Sequence, residues 1–364
     1  MHVLFFTNIP SPYRVHFFSE LGKKCDLTVV YERKNASDRN TSWRANGLRN
    51  YQEAYLKGVS IGADNSFCPE VLLFLKQHYD VVVIGMYSTY TAMLAMAWMQ
   101  LKHVPYVISV DGGFVKNESK LKRKMKTLCL SSAKYWFSTG EASKSYLEYY
   151  GAKSKLIFNY PFTSVDQSDI LDFPLTWDEK KSLRKKMGIT AKKVVVSVGQ
   201  FIPRKGFDIL LKACLNFSDE DCAFLIIGGS RGEFCSKISS DIPNNVFILP
   251  FMEKEHLFQY YYAADFMVFP TREDIWGLVV NEAMACGLPI ITTKCCGAGL
   301  ELIKNGKNGF LIEPDSEVAL TNAICKMLTM DNLDSFGEYS LSIIKDYTYQ
   351  TMATRYYNVL KSEK

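Results

Sequence analysis

The stretch FPTREDIWGLVVNEAMACGLPIITT, from Phe269 to Thr293, reads as a strand, a helix and a second strand. A β-type run ends at Pro270, a short loop carries Glu273 and Asp274, and an apolar helical pattern starts near Trp276 and runs to Cys286. Gly287 supplies the helix stop and Pro289 opens the next strand. Strands joined through one helix lie parallel in a sheet, so the stretch predicts a βαβ unit. The head of its helix offers the amides of Gly277, Leu278 and Val279, which lack intrahelical partners and, with the helix dipole, form an anion site. Glu282 falls about a turn and a half along the same helix, among apolar residues. A carboxylate there is costly to leave unpaired, which calls either for a ligand's ribose hydroxyls or for a structural Lys or Arg.

Upstream, VVVSVGQFIPRKGFDILLKA, Val194 to Ala213, repeats the plan: a strand ending at Gly199, a loop presenting Arg204 and Lys205, then Gly206 and a helix. Cations at the carboxyl end of a parallel strand face the ligand crevice and could neutralise a diphosphate. They equally fit an exposed loop. The series begins at Lys193 to Val198, continues through Ala223 to Ile227, Val246 to Leu249, Phe266 to Phe269 and Pro289 to Thr293, and closes at Phe310 to Ile312. An earlier series runs through Val3 to Asn8, Cys25 to Tyr31, Asp80 to Gly85, Pro105 to Asp111, Tyr135 to Ser138 and Leu156 to Asn159. Between them, from Tyr160 to Pro174, periodicity lapses and a linker is expected. The expected architecture is therefore α/β, with two facing Rossmann-like doubly wound parallel-sheet domains at residues 1–165 and 166–343. A C-terminal helix at about 344–364 should pack back on the first, and the cleft between the domains is the expected site.

The chain has 364 residues, 48% of them hydrophobic, enough for two cored domains. Ten cysteines without a C-x-x-C pair indicate neither a disulfide framework nor a zinc set, and fit reduced thiols in a cytoplasmic protein. The opening MHVLFFTNIPSPYR reads as a first strand rather than a secretory signal. Val81 to Leu101 carries no charge and is long enough to cross a bilayer. It divides, however, into VVVIG, a polar hinge at Tyr87 to Thr91 and a helical AMLAMAWMQ, the pattern of a buried strand and its following helix. The net charge of +5 has a location: between Lys116 and Lys126, six cations stand against Glu118 alone. Such a run is either a solvated helix face or a docking site for an anionic surface.

Together the two strand–loop–helix stretches resemble the nucleotide-binding half of the family-4 retaining glycosyltransferases of the GT-B fold. Their mark is a pair of acidic residues eight positions apart around a Phe-Gly or Trp-Gly step, here Asp274 and Glu282. The likeness extends through Gly228-Gly229, YYYAADFMVFP and CCGAGLELIKNGKNGFLIEPDS. It implies that Lys205 contacts a donor diphosphate, that the amides after Gly277 hold its distal phosphate, that Glu282 binds the ribose and that Asp274 binds the transferred sugar, with Gly199, Arg204 and Gly228 lining the donor. The first acid is usually Glu and is Asp here, and an Arg commonly found after the V-G step is replaced by Gln200. In the N-terminal half, Ser11-Pro12-Tyr13-Arg14 replaces a glycine pair, making Arg14 a candidate phosphate or acceptor contact. Asp111-Gly112-Gly113 stands at a strand end where relatives often place a His, so Asp111 is a candidate base or cation stabiliser and the glycines candidate acceptor contacts. A simple Asp-Gly turn is the alternative.

The resemblance implies a sugar nucleotide as substrate, UDP-linked by default, with no cofactor and no metal required, and a glycan acceptor on a lipid carrier, as in capsule or surface-polysaccharide assembly. Within Lys120 to Lys134, Leu121, Met125, Leu128 and Cys129 form one helical stripe among lysines, suited to an anionic membrane surface and hence to a peripheral, cytoplasmic-face location. The stripe could instead pack on the sheet. Nucleic acid is disfavoured, since the run lacks interleaved aromatics. An NAD-dependent oxidoreductase needs G-x-G-x-x-G, which neither TNIPSPYR nor SVGQFIPR supplies. A sugar-nucleotide epimerase of the same fold and a non-catalytic sugar-binding protein stay as alternatives.

Overall fold

The computed structural model describes residues 1–34, 49–62 and 65–364. The chain forms two compact units, Met1–Thr163 with Thr348–Lys364, and Ser164–Tyr347.

In the first unit, chain order is β1 (His2–Thr7), α1 (Pro12–Gly22), β2 (Asp26–Tyr31), β3 (Gln52–Tyr55), β4 (Val59–Ile61), β5 (Asn65–Phe67), α2 (Val71–Leu75) and β6 (Val81–Ile84). It continues with α3 (Tyr90–Leu101), β7 (Val107–Ser109), α4 (Lys120–Leu130), β8 (Trp136–Ser138), α5 (Glu141–Tyr149) and β9 (Ile157–Asn159). Among the described residues the main sheet has the order β3-β2-β1-β6-β7-β8-β9, parallel throughout, while β4 and β5 form a separate antiparallel hairpin. The uncharged Val81 to Leu101 segment is thus strand plus helix, and no helix among the described residues is long and apolar enough to cross a membrane. The hairpin escapes the sequence reading because its apolar residues Val59, Ile61 and Phe67 face solvent. It is pinned from behind by Glu32, which accepts hydrogen bonds from the hydroxyls of Ser66 and Thr89.

The second unit runs α6 (Trp177–Lys186), β10 (Lys193–Val198), α7 (Phe207–Cys214), β11 (Cys222–Ile227), α8 (Arg231–Lys237), β12 (Val246–Leu249) and α9 (Lys254–Ala263). Then follow β13 (Phe266–Phe269), α10 (Leu278–Ala285), β14 (Ile290–Thr293), α11 (Gly297–Leu302), β15 (Gly309–Ile312), α12 (Glu317–Leu328) and α13 (Leu333–Ile344). Its sheet is parallel with the order β12-β11-β10-β13-β14-β15, the doubly wound plan. The valines of β10 and the apolar runs of β11 and β13 are buried on both faces, as a sheet covered by helices on either side requires.

The last helix, α14 (Tyr349–Ser362), packs on the first unit. Tyr356 stacks on Phe137 at 3.6 Å between ring centroids and meets Phe17 and Tyr160 edge-on at 5.2 and 5.3 Å. The stretch expected as a linker is divided between the units: Tyr160 and Phe162 join the aromatic core of the first, and Ser164 onward bonds within the second. No disulfide joins the ten cysteines, half of which are buried.

Candidate active site

The strand order of the second unit reverses between β10 and β13, which opens a crevice past their carboxyl ends. Two loops border it, one from Gly199 to Gly206 and one from Pro270 to Gly277. Lys205 on the first is only 8% exposed and forms an ion pair with Asp274 on the second, its Nζ lying 4.9 Å from the centroid of Phe269. Gly206 takes φ 72°, and a Cβ there would run into the carbonyl of Pro270, so the loops meet backbone to backbone. Arg204 is exposed and donates to the Glu273 carbonyl at 2.5 Å, while its own carbonyl accepts from Thr271 Oγ1 at 3.1 Å and the Arg272 amide at 2.8 Å. Arg204 therefore braces the acidic loop.

Asp274 is held from its other side by the CCGAG turn: its amide donates to Cys295 O at 2.9 Å and its carbonyl accepts from the Gly297 amide at 3.0 Å. Helix α10 starts at Leu278, two residues later than the sequence pattern suggests. The reason is Trp276, which is buried and donates from Nε1 to Asn281 Oδ1 at 2.8 Å, followed by Gly277 at φ 98°. A Cβ at Gly277 would stand 2.8 Å from Cys296 Sγ, so the amides of Gly277, Leu278 and Val279 head the helix beside Asp274 only because residue 277 is glycine.

Glu282, half-buried on α10, accepts from Ser164 Oγ at 2.8 Å and from Tyr261 Oη at 3.4 Å. It forms no ion pair among the described residues; the nearby Lys254 bonds Asp169 and the Ser164 carbonyl. Burial raises its pKa above the ordinary carboxylate range, partly offset by the Ser164 hydrogen bond and the Lys254 charge. The structural Lys or Arg that could have explained Glu282 is thus not bonded to it. Gly228 has a packing reason for lacking a side chain, since the Gly199 carbonyl occupies the place of its Cβ. Gly199 itself has room, with its nearest neighbours 3.5 Å from a hypothetical Cβ.

In the first unit Asp111 follows β7, and its carboxylate accepts from Tyr13 Oη at 3.0 Å and pairs with Arg14. The Arg14 side chain is 3% exposed, lies over Phe5 and Phe18 and pairs through Nη2 with Asp111, so it steadies that carboxylate. Both carboxylate oxygens of Asp111 thus accept hydrogen bonds from neighbours on α1, Tyr13 and Arg14. Burial and the Asp111 charge push the Tyr13 phenol up to about 12. Gly112 takes φ 144°, and a Cβ at Gly113 would meet the Tyr146 ring at 2.8 Å, so backbone conformation at the first and packing at the second call for glycine.

Helix α4 carries the basic run. Leu121, Met125 and Leu128 are 71%, 50% and 67% exposed, so this stripe does not pack on the sheet. Lys126 turns inward to Glu118 at 2.9 Å and over Tyr150, leaving Lys120, Lys122, Arg123 and Lys124 on the exposed part of the helix. Cys129 is half-buried and departs from the stripe. Among the described residues, no three His, Cys, Asp or Glu side chains gather in a way that could hold a metal ion.

Residues 179–340 match the family described as Glycosyl transferases group 1. An uncharacterized glycosyltransferase of Methanocaldococcus jannaschii is 25% identical over 287 residues, covering 72% of this chain and 71% of that one. The D-inositol 3-phosphate glycosyltransferase of Corynebacterium jeikeium is 29% identical over 184 residues, 47% of this chain; the match spans less than half of that relative, at 44%. Over the full length of both chains the fold is that of Anabaena HepE, solved in complex with UDP, with a TM-score of 0.79 at 17% identity. The fold is GT-B, and these likenesses support a GT-B glycosyltransferase.

Proposed function

We propose that this protein moves a sugar from a nucleoside-diphosphate sugar to a glycan acceptor with retention of configuration at the anomeric carbon. The observation that carries the reading is the meeting of Lys205, Asp274 and the head of α10 at one strand-order reversal, with Glu282 farther along the same helix. Lys205 and the amides of Gly277 to Val279 take the diphosphate, Glu282 the ribose and Asp274 the sugar hydroxyls. As the bond from the anomeric carbon to the diphosphate breaks, the acceptor oxygen bonds the same face and its proton passes to the departing phosphate oxygen. The charge growing on the leaving group is met by Lys205 and the helix amides, and this reading calls for no metal ion. UDP is the first nucleotide to test, because the HepE fold holds it, whereas a Corynebacterium glutamicum relative is named as GDP-mannose-dependent. The acceptor is assigned to the first unit and to a lipid carrier at an anionic surface, with α4 as the contact and surface-glycan assembly as the setting.

The test is incubation with sugar nucleotides and a lipid-linked acceptor: nucleoside diphosphate must be released in step with acceptor elongation, which neither an epimerase nor a binding protein would do. Lys205→Ala should lower kcat by about 100-fold or more, and donor affinity by much less, since the charge it meets grows in the transition state. Equal losses in affinity and rate count against that role.

A further inference from the structure

Two positions before Asp274 stands Arg272, whose side chain bonds neither Lys205 nor Asp274. Its Nη1 and Nη2 form a fork on Asp208 at 2.8 and 2.7 Å, its Nε donates to Asp315 at 2.5 Å, and Nη1 also reaches the Pro203 carbonyl. The partners come from two connections, β10 to α7 and β15 to α12. Pro203 lies in the loop that ends at Lys205, Asp208 in the first turn of α7, and Asp315 between β15 and α12, at φ 59°. The planar guanidinium can hold one carboxylate in two-point fashion while offering its remaining N–H to a second, which a lysine ammonium cannot reproduce in the same geometry.

Global stability does not account for this arrangement. The side chains of Arg272, Asp208 and Asp315 are 28%, 37% and 56% exposed, a range in which ion pairs contribute little to folding. Location does account for it. The Arg272 amide bonds the Arg204 carbonyl at 2.8 Å, so the same residue joins the two loops by backbone and by side chain. Lys205 and Asp274 pair across that junction, and on the donor-site reading a diphosphate competes with Asp274 for Lys205.

We propose that Arg272 is a positioning residue of the donor site, holding the Lys205 and Asp274 loops in register and acting on the nucleotide only through them. The inference rests on the donor-site reading above and is tested by crossing Arg272→Lys with Lys205→Ala. UDP affinity is measured by calorimetry, with GDP as the second probe, alongside amide hydrogen exchange. Arg272→Lys should melt near wild type, bind UDP about tenfold more weakly and speed exchange in residues 201–208 and 270–277 alone. Because Lys205→Ala removes the nucleotide contact of only one of the two loops, the double variant should lose less UDP affinity than the two single losses multiplied. Multiplied losses would show that Arg272 acts on the nucleotide independently. A collapse in melting temperature, or unchanged exchange in both loops, would likewise overturn the proposal. If wild type binds neither UDP nor GDP, the donor reading fails, and the exchange data alone decide whether Arg272 holds the loops.

Discussion

Glu282 keeps a carboxylate where burial opposes its charge and answers it with two hydroxyl donors, Ser164 and Tyr261, and with the charge of a nearby Lys254 that bonds other partners. Its folded-state pKa lies above that of the unfolded chain, so across that interval the folded state binds the extra proton and stability falls as pH rises. Glu282→Gln removes this penalty while keeping an oxygen acceptor, and the variant should melt no lower than wild type at neutral pH. Nucleotide affinity should behave in the opposite way. In wild type it should weaken as pH drops through the raised value, because the protonated acid is a poorer acceptor for ribose hydroxyls, while in the Gln variant it should be weak and flat. Calorimetry across pH 5 to 8 would check both, and a Gln variant that binds like wild type would remove Glu282 from the donor site. The placement of Lys205 and Asp274 past strand ends and of Glu282 on the following helix was legible in the sequence because strand ends and helix spacing are local properties. Ser164 was not, lying 118 residues from the carboxylate it bonds, and the burial of Arg14 was hidden because only the packed sheet brings Phe5, Phe18 and Asp111 around it.

At the level of elements, strands buried on both faces announced themselves as continuous apolar runs, whereas the β4–β5 hairpin, held by polar contacts behind and exposed in front, left no such pattern. Helix α4 was legible as amphipathic, but which side it presents to water is a fact of packing. Four basic residues flanking exposed Leu121, Met125 and Leu128 suit an anionic bilayer, each charge near its surface contributing about 1 kcal/mol at low salt. Replacing Lys120, Lys122, Arg123 and Lys124 with Gln should release the protein from phosphatidylserine-containing vesicles while sparing transfer to a soluble acceptor analogue. Serine at Leu121, Met125 and Leu128 should weaken binding yet leave its salt dependence in place. Sedimentation with vesicles over a salt series distinguishes the two. Absence of salt-sensitive binding by wild type would end the membrane assignment.

For the molecule as a whole, the alternation of strands and helices made two doubly wound halves legible, while the division at Thr163 and Tyr347 depends on contacts that span the chain. The segment Thr348–Lys364 buries Met352, Tyr356 and Leu360, a contribution on the order of 5 kcal/mol, comparable with the whole stability of a typical domain. A chain truncated after Tyr347 should therefore keep Ser164–Tyr347 resistant to limited proteolysis and lose that resistance in Met1–Thr163; equal resistance in both would show that α14 is dispensable. The same feature sets a schedule during synthesis. The first unit leaves the ribosome early, yet the aromatic partner of Phe17 and Phe137 arrives only after roughly 180 further residues, about 10–40 s at ordinary elongation rates. The earlier-made half is thus completed last, and in a nascent chain stalled before Thr348 its unfilled aromatic face should be open to chaperones.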